Sequence, residues 1–273
     1  MEAHLTFALI QHDIVWLDCE ANFRQFRLKV TEAAARADFI ILPETFSTGF
    51  VVDPAALTPS MGQVSKTFLL DLASELRVWI SGSFFEKNSY GASNSSLYSN
   101  TFFLAGPNGE SGEYRKLHPF APGGEDFAVT PGEDICIWDV NGLRVTPFVC
   151  YDLRFANVFW DAAQDTDVFI VTANWPQSRQ LHWETLIASR AIENQAFVIG
   201  CNRIGTGNGI LYAGGSQAVG PTGHRLCNLQ SESGTLIVDV NREAVTEARS
   251  SFPFIANRRP RDSYCIRKIT FAS

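Results

Sequence analysis

Three short segments of the chain end in side chains that can do chemistry, each just beyond an apolar run. Ile40-Ile41-Leu42-Pro43 delivers Glu44, Tyr114-Arg115 delivers Lys116, and Thr146-Pro147-Phe148-Val149 delivers Cys150. Strand ends are where α/β folds build their sites. Partial burial of Glu44 would disfavour its charged form and raise its pKa, as a general base near neutral pH requires. A thiol at a strand-to-helix corner can lie near a helix N-terminus, which lowers its pKa. The Tyr151 backbone N–H after it would be free to face an oxyanion. Strand alternation puts Tyr114, Lys116 and His118 on one face and Arg115 on the other, and an inward Lys116 needs an anionic partner. Each segment also has a plain reading: a solvated strand-end Glu, an edge-strand Lys in water, a buried Cys acting as a small hydrophobe. Taken singly, each segment favours the plain reading.

The elements that would position these residues follow from periodicity. Thr6–Gln11 reads as a strand and Glu20–Ala37 as a helix with Phe23, Phe26, Val30 and Ala34 on one face. Phe39–Pro43 is a continuous apolar run, as in a strand buried on both faces. A helix over Gly62–Leu76 and a strand over Val78–Phe85 follow. Ser96–Ala105 and Tyr114–His118 flank Asn108-Gly109, and Asp134–Val140 and Leu143–Val149 flank Asn141-Gly142; both are hairpin signals. Then come a strand at Val168–Ala173, a helix at His182–Gln195 and a strand at Phe197–Asn202. A hairpin turning near Pro221-Thr222-Gly223 follows, then a strand at Leu236–Val240 and a helix at Asn241–Arg249. The order of elements looks duplicated: strand, helix, strand, helix, then strands joined by a hairpin, twice. Two sheets packed face to face with helices outside would bury all these apolar strands. The expectation is one α/β domain over residues 1–273, with four layers. The Gly/Pro-rich stretch Pro119–Gly132 is long for a connector and reads as a functional loop.

Composition narrows the function classes. A formal charge of -7 argues against nucleic acid, which needs clustered positive charge. The one basic cluster, Arg258-Arg259-Pro260-Arg261, reads as a surface arm or an intersubunit contact. No apolar run reaches transmembrane length and no signal-peptide pattern opens the chain. The six scattered cysteines form no Cys-x-x-Cys pair and suit reduced thiols, hence a cytoplasmic protein. No His-Glu-x-x-His, EF-hand loop, P-loop or Gly-x-Ser-x-Gly elbow is present. Gly205, Gly207 and Gly209 miss the dinucleotide fingerprint because Ile210 stands where a glycine is needed. His182 and Glu184, at i and i+2, do not share a helical face and make poor joint metal ligands. Neither metal nor organic cofactor is expected.

Together the three segments resemble the nitrilase superfamily of carbon–nitrogen hydrolases, which carries Glu, Lys and Cys in this chain order. The resemblance runs through Leu42-Pro43-Glu44, Arg115-Lys116-Leu117-His118 and Val149-Cys150-Tyr151-Asp152-Leu153-Arg154-Phe155. It continues through Ala173-Asn174-Trp175-Pro176, His182-Trp183, Ser189-Arg190-Ala191-Ile192-Glu193-Asn194-Gln195 and Gly200-Cys201-Asn202-Arg203, and so covers nearly the whole chain. The Cys-Tyr-Asp-Leu-Arg-Phe and Asn-Trp-Pro blocks look like the omega-amidase branch, which hydrolyses the terminal amide of 2-oxoglutaramate and 2-oxosuccinamate. The resemblance implies an αββα sandwich of two mixed β-sheets flanked by helices, assembled as a homodimer or higher homo-oligomer. It implies Cys150 as nucleophile, Glu44 as general base and Lys116, with the Tyr151 N–H, as oxyanion stabiliser. It also implies a supporting glutamate in the loop after the lysine, where Glu125 fits and Asp126 is its neighbour.

A substrate carboxylate would call for a cationic partner. Arg154 suits it, since a guanidinium pairs bidentately with carboxylate; the alternative is a structural salt bridge to Asp152 or Glu193. Phe46, Tyr151 and Trp175 would wall the pocket, or serve as core. Other readings stay open at this stage. The same triad could take nitriles, N-carbamoyl amines or another small amide; a non-catalytic family member would act by assembly. A Cys-His hydrolase would need His182 or His118 beside Cys150, with Asn174 as orienting amide.

Overall fold

Two six-stranded sheets carry the chain, their apolar faces turned to each other, in a computed structural model that describes residues 3–58, 60–88, 98–259 and 263. The first half gives β1 (His4–Gln11), α1 (Cys19–Ala34), β2 (Phe39–Ile41), α2 (Ser60–Leu76), β3 (Trp79–Lys87), β4 (Tyr98–Ala105) and β5 (Ser111–Arg115). A short helix α3 (Glu125–Ala128) lies in the loop that follows. The second half gives β6 (Trp138–Val140), β7 (Leu143–Val149), α4 (Ala156–Ala162), β8 (Val168–Ala173), α5 (Gln180–Asn194) and β9 (Phe197–Asn202). Then come the hairpin β10 (Ile204–Gly207) and β11 (Ile210–Ala213), β12 (Gln217–Val219), β13 (Arg225–Asn228), β14 (Gly234–Asn241) and α6 (Arg242–Ser251).

The first sheet runs β14-β1-β2-β3-β4-β5 and the second β13-β12-β9-β8-β7-β6. Both are mixed. β1, β2 and β3 pair in parallel, as do β7, β8 and β9, with antiparallel strands outside them. The duplication expected from the order of elements is therefore real: β1-α1-β2-α2-β3-β4-β5 is matched by β7-α4-β8-α5-β9-β12-β13.

The pleat decides which residues meet. In β1, Phe7 and Leu9 join the core between the sheets, while Ala8 and Ile10 join the core under α1 and α2. Phe26 and Val30 bury the inner face of α1, with Phe23 and Ala34 half-buried against the same cluster. The Asp18 carboxylate accepts from the Ala21 N–H at 2.9 Å and starts α1; Asn241 starts α6 by accepting from the Ala244 N–H at 2.8 Å. The result is a four-layer αββα sandwich.

Boundaries differ from expectation where tertiary contacts take over. α1 stops at Ala34, three residues early, and β2 at Ile41, before Pro43. β5 stops at Arg115 because the Lys116 N–H is the last to pair across, to the Asn100 carbonyl at 2.9 Å, before the chain turns away. β6 starts only at Trp138. Ser96 and Leu97, assigned to the start of β4, lie outside the described residues. The hairpin β10–β11, with its Asn208-Gly209 turn at positive φ, was read only as a failed glycine fingerprint. Arg258 is no free arm. It donates to the Glu193 carbonyl and the Asn194 side chain, with its guanidinium 3.8 Å over the Trp160 ring. No helix among the described residues is long and apolar enough to cross a membrane.

Candidate active site

Glu44 leaves the end of β2 and is completely buried between the sheets. Its Oε1 accepts from the Lys116 Nζ at 3.0 Å and the Asn100 Nδ2 at 2.9 Å; its Oε2 accepts from the Asn174 backbone N–H at 2.8 Å. Lys116, also fully buried, turns its ammonium between two carboxylates, reaching Glu125 Oε2 at 2.7 Å. Glu125 is brought in by α3 and is fixed by Asn100 Nδ2 at 3.0 Å and the Phe120 N–H at 2.6 Å. The loop Pro119–Gly132 thus delivers a buried carboxylate, whereas Asp126 stays at the surface. Burial opposes the Lys116 charge, but Glu125 and Glu44 outweigh it and hold the ammonium charged above the usual lysine range. Burial pushes the Glu125 carboxyl up; Lys116 pulls it back.

Cys150 stands at the end of β7, where a short 3₁₀ turn, Cys150–Arg154, leads to α4. Its φ of 46° lies in the left-handed region, a conformation that costs energy for a side chain with a Cβ and persists only when its surroundings fix it. Asp152 supplies that fixing. Its carboxylate accepts from the Val149 N–H, the Tyr114 hydroxyl and the His118 N–H at 3.0, 2.8 and 2.9 Å, so it ties the cysteine corner to the segment that carries Lys116. The lowered thiol pKa expected at such a corner is not found. Burial, and then the neighbouring Glu44 charge, push the Cys150 thiol well above the usual range, with Lys116 opposing. A single 3₁₀ turn offers little dipole to counter that burial.

The cluster opens on a cavity of about 120 Å³, walled by Cys150, Tyr151, Arg154, Trp175, Arg179 and Tyr212 among others. Arg154 makes no salt bridge to Asp152 or Glu193; Asp152 is held by the groups above and Glu193 pairs with Arg190. Its guanidinium lies 4.7 Å over the Trp175 ring and donates to His182 Nδ1 at 3.2 Å. Trp175 lines the cavity as expected. Phe46 does not: it is fully buried in the core under α1 and α2, against Phe26 and Phe84. Thr45, at φ 44°, reverses the direction of the chain after Glu44 and sends Phe46 to the outer face. The Cys-His arrangement is also not formed. His118 is taken by Asp152 at 2.9 Å and stacks on Phe155 at 3.7 Å, and His182 is taken by Arg154.

Several site residues were not anticipated. Asn100, on β4, holds both glutamates; its signal was the polar run Ser99-Asn100-Thr101 inside an otherwise apolar strand, all three buried. Asn174, given no role beyond the Asn-Trp-Pro block and a histidine partnership, holds Glu44 through its backbone N–H and its side chain. Arg179 and Tyr212 reach the cavity from a turn and a hairpin that periodicity does not reveal. Among the described residues no cluster of His, Cys, Asp and Glu could hold a metal ion.

Fold and site together define the class, an amidase-type α/β enzyme with a buried cysteine, lysine and two glutamates. Residues 6–250 match the carbon-nitrogen hydrolase family, and the chain belongs to it. It is similar to the omega-amidase YafV of Escherichia coli K12, at 36% identity over 251 residues, covering 91% of this chain and 94% of that one. It is 29% identical to the 2-oxoglutaramate amidase of Bacillus subtilis 168 over 252 residues, 91% of this chain and 95% of that one. Among solved structures, XC1258 of Xanthomonas campestris, a CN-hydrolase superfamily protein with an arsenic adduct in its active site, superposes with a TM-score of 0.87. It is 29% identical and the match covers 97% of this chain and 99% of that one. An amidase from Nesterenkonia sp. gives a TM-score of 0.80 at 25% identity, covering 93% and 96%.

Proposed function

We propose that the protein hydrolyses the terminal amide of small dicarboxylate monoamides, 2-oxoglutaramate and 2-oxosuccinamate, to the dicarboxylate and ammonia. The observation that carries this reading is Cys150 at the mouth of a buried Glu44–Lys116–Glu125 cluster, in a cavity that also presents Arg154. The raised thiol pKa means Cys150 rests protonated at neutral pH, so a base must act during attack. Glu44 takes the Sγ proton as sulfur bonds the amide carbon. The carbonyl π electrons move to oxygen, where Lys116 and the Tyr151 N–H stabilise the charge. Glu44 returns the proton to nitrogen, the C–N bond breaks and ammonia leaves. Water, deprotonated by Glu44, then opens the thioester, and the thiol recovers its proton as the acid departs. Glu125 holds Lys116 in place, and Arg154 pairs with the substrate carboxylate.

We take residues 1–273 as the single domain of this enzyme, since the family match spans residues 6–250. Its five described cysteines are all unpaired, which suits a reducing cytoplasm. The test is ammonia release from 2-oxoglutaramate and 2-oxosuccinamate with a chelator present, by wild type, Cys150→Ala and Glu44→Gln. Turnover by the wild type alone is the expected result. Release by Cys150→Ala at the wild-type rate would remove the thioester route, and no release by the wild type would remove these substrates. Lys116→Met, which deletes one oxyanion donor, is expected to lose about 10²–10³ in kcat.

A further inference from the structure

Besides Arg154, the cavity that Cys150 lines presents a second guanidinium. Arg179 ends the 3₁₀ turn Gln177–Arg179 before α5; its own carbonyl accepts from the Trp175 indole N–H at 2.8 Å, and its guanidinium lies 5.4 Å from the Phe120 ring. The ion pairs of the described residues engage Arg24, Arg27, Arg144, Arg190, Arg203 and Arg242, and neither Arg154 nor Arg179. Two partly buried guanidiniums that share one mainly apolar cavity without a carboxylate between them are costly unless a ligand supplies the anion. Burial, and then the Arg179 charge, hold the Arg154 guanidinium below its usual range.

The charges of the site point the same way. Lys116 is already held by Glu44 and Glu125, so Arg154 and Arg179 are the cations of the cavity wall left to meet a substrate carboxylate. A third group joins them. Tyr212 on β11 is 3% exposed, lines the cavity, and its hydroxyl makes no hydrogen bond among the described residues. Burial pushes that hydroxyl up to about 12, opposed first by Arg203, with Glu44, Cys150 and Arg179 acting more weakly. It is a neutral donor on the wall that also carries the thiol and the arginine.

We propose that Arg179 is a specificity residue that clamps the substrate carboxylate jointly with Arg154, while the Tyr212 hydroxyl donates to an acceptor oxygen next to that carboxylate. Such an end selects a 2-oxo acid over a plain carboxylate, and either over an uncharged amide. At about 120 Å³ the cavity has the space of roughly four waters at liquid density, so it admits only a small acyl chain. The inference rests on the amidase reading for its substrate, but not for its binding test.

Arg179→Gln, Arg179→Lys and Tyr212→Phe are compared with wild type on 2-oxoglutaramate, glutaramate and uncharged pentanamide. Arg179→Gln is expected to lower the kcat/KM ratio of glutaramate to pentanamide by roughly ten- to hundred-fold, mostly through KM, with Arg179→Lys between the two. Tyr212→Phe is expected to lower the ratio of 2-oxoglutaramate to glutaramate by roughly three- to ten-fold. A wild-type ratio in Arg179→Gln overturns the clamp. Binding is read without turnover by calorimetric titration of 2-oxoglutarate into Cys150→Ala, with and without Arg179→Gln. Weakening of roughly tenfold or more supports the clamp and equal affinity overturns it. If the wild type hydrolyses none of the three amides, the amidase reading falls, and the titration still decides on Arg179.

Discussion

One amide nitrogen, Asn100 Nδ2, donates to both Glu44 and Glu125, and both carboxylates are fully buried. Removing it leaves two buried anions on one ammonium with a donor missing, a loss of about 1–3 kcal/mol. Asn100→Leu is therefore expected to unfold at lower urea and to lose kcat more than it raises KM, since the carboxylates it holds sit at the reacting end of the cavity. Wild-type kcat in a folded Asn100→Leu protein would show that Lys116 alone aligns the glutamates. At this scale the sequence was readable where chemistry coincides with a strand end, as at Glu44, Lys116 and Cys150. It was unreadable where the decisive residue sits mid-strand, as Asn100 does. Phe46, read as pocket wall or core, is core, with the left-handed residue Thr45 just before it. Its burial under α1 is invisible to local pattern.

At the scale of elements, the hairpin β10–β11 carries Tyr212 to the cavity, so its seating matters to the site. Arg203, completely buried, anchors it: Nη2 lies 2.6 Å from Asp13 Oδ1, and the guanidinium sits 4.6 Å over the Tyr212 ring. Gly205, at φ +90°, passes directly over the Asp13 carboxylate, and a Cβ there would come within 2.1 Å of Oδ1. Gly205→Ala must therefore break the Arg203–Asp13 contact or lift the hairpin. The expected outcome is faster proteolysis between β10 and β11 and a raised KM for 2-oxoglutaramate, with a stability loss of about 1–3 kcal/mol. An unchanged KM would mean the hairpin keeps its seat without the anchor. The long apolar strands and the Asn-Gly turns at 108–109 and 141–142 were legible because periodicity and turn chemistry agree there. β10 and β11 have four residues each; glycines interrupt the first and the second is wholly apolar, so only Asn208-Gly209 marked them. The loop that brings Glu125 was legible as unusual, and its short helix was not.

Across the whole molecule, the site is divided between the sheets. Glu44 and Lys116 follow strands of the first, Cys150 and Asn174 strands of the second, and the Cys201 sulfur packs 3.5 Å from the Ile10 and Ile41 carbonyls between them. The duplicated order of elements foretold two sheets, but no local pattern states their register against each other, which is what aligns the thiol with the carboxylate. This division separates stability from activity. Leu9 lies in the core between the sheets and Leu72 in the core between α2 and the first sheet, and both are fully buried. Truncating either to alanine removes the same atoms and should cost a similar amount, roughly 2–5 kcal/mol. The consequences for catalysis differ. A cavity at Leu9 lets the sheets close on one another, and a shift of about 1 Å between reacting groups can cost 10²-fold in rate. A cavity at Leu72 is absorbed by movement of α2, which carries no site residue. Leu9→Ala is thus expected to lose kcat well below its unfolding midpoint, while Leu72→Ala of matched urea stability keeps it. Equal kcat in the two variants would mean that Asp152 and the buried ion pairs hold the sheets in register without help from the core.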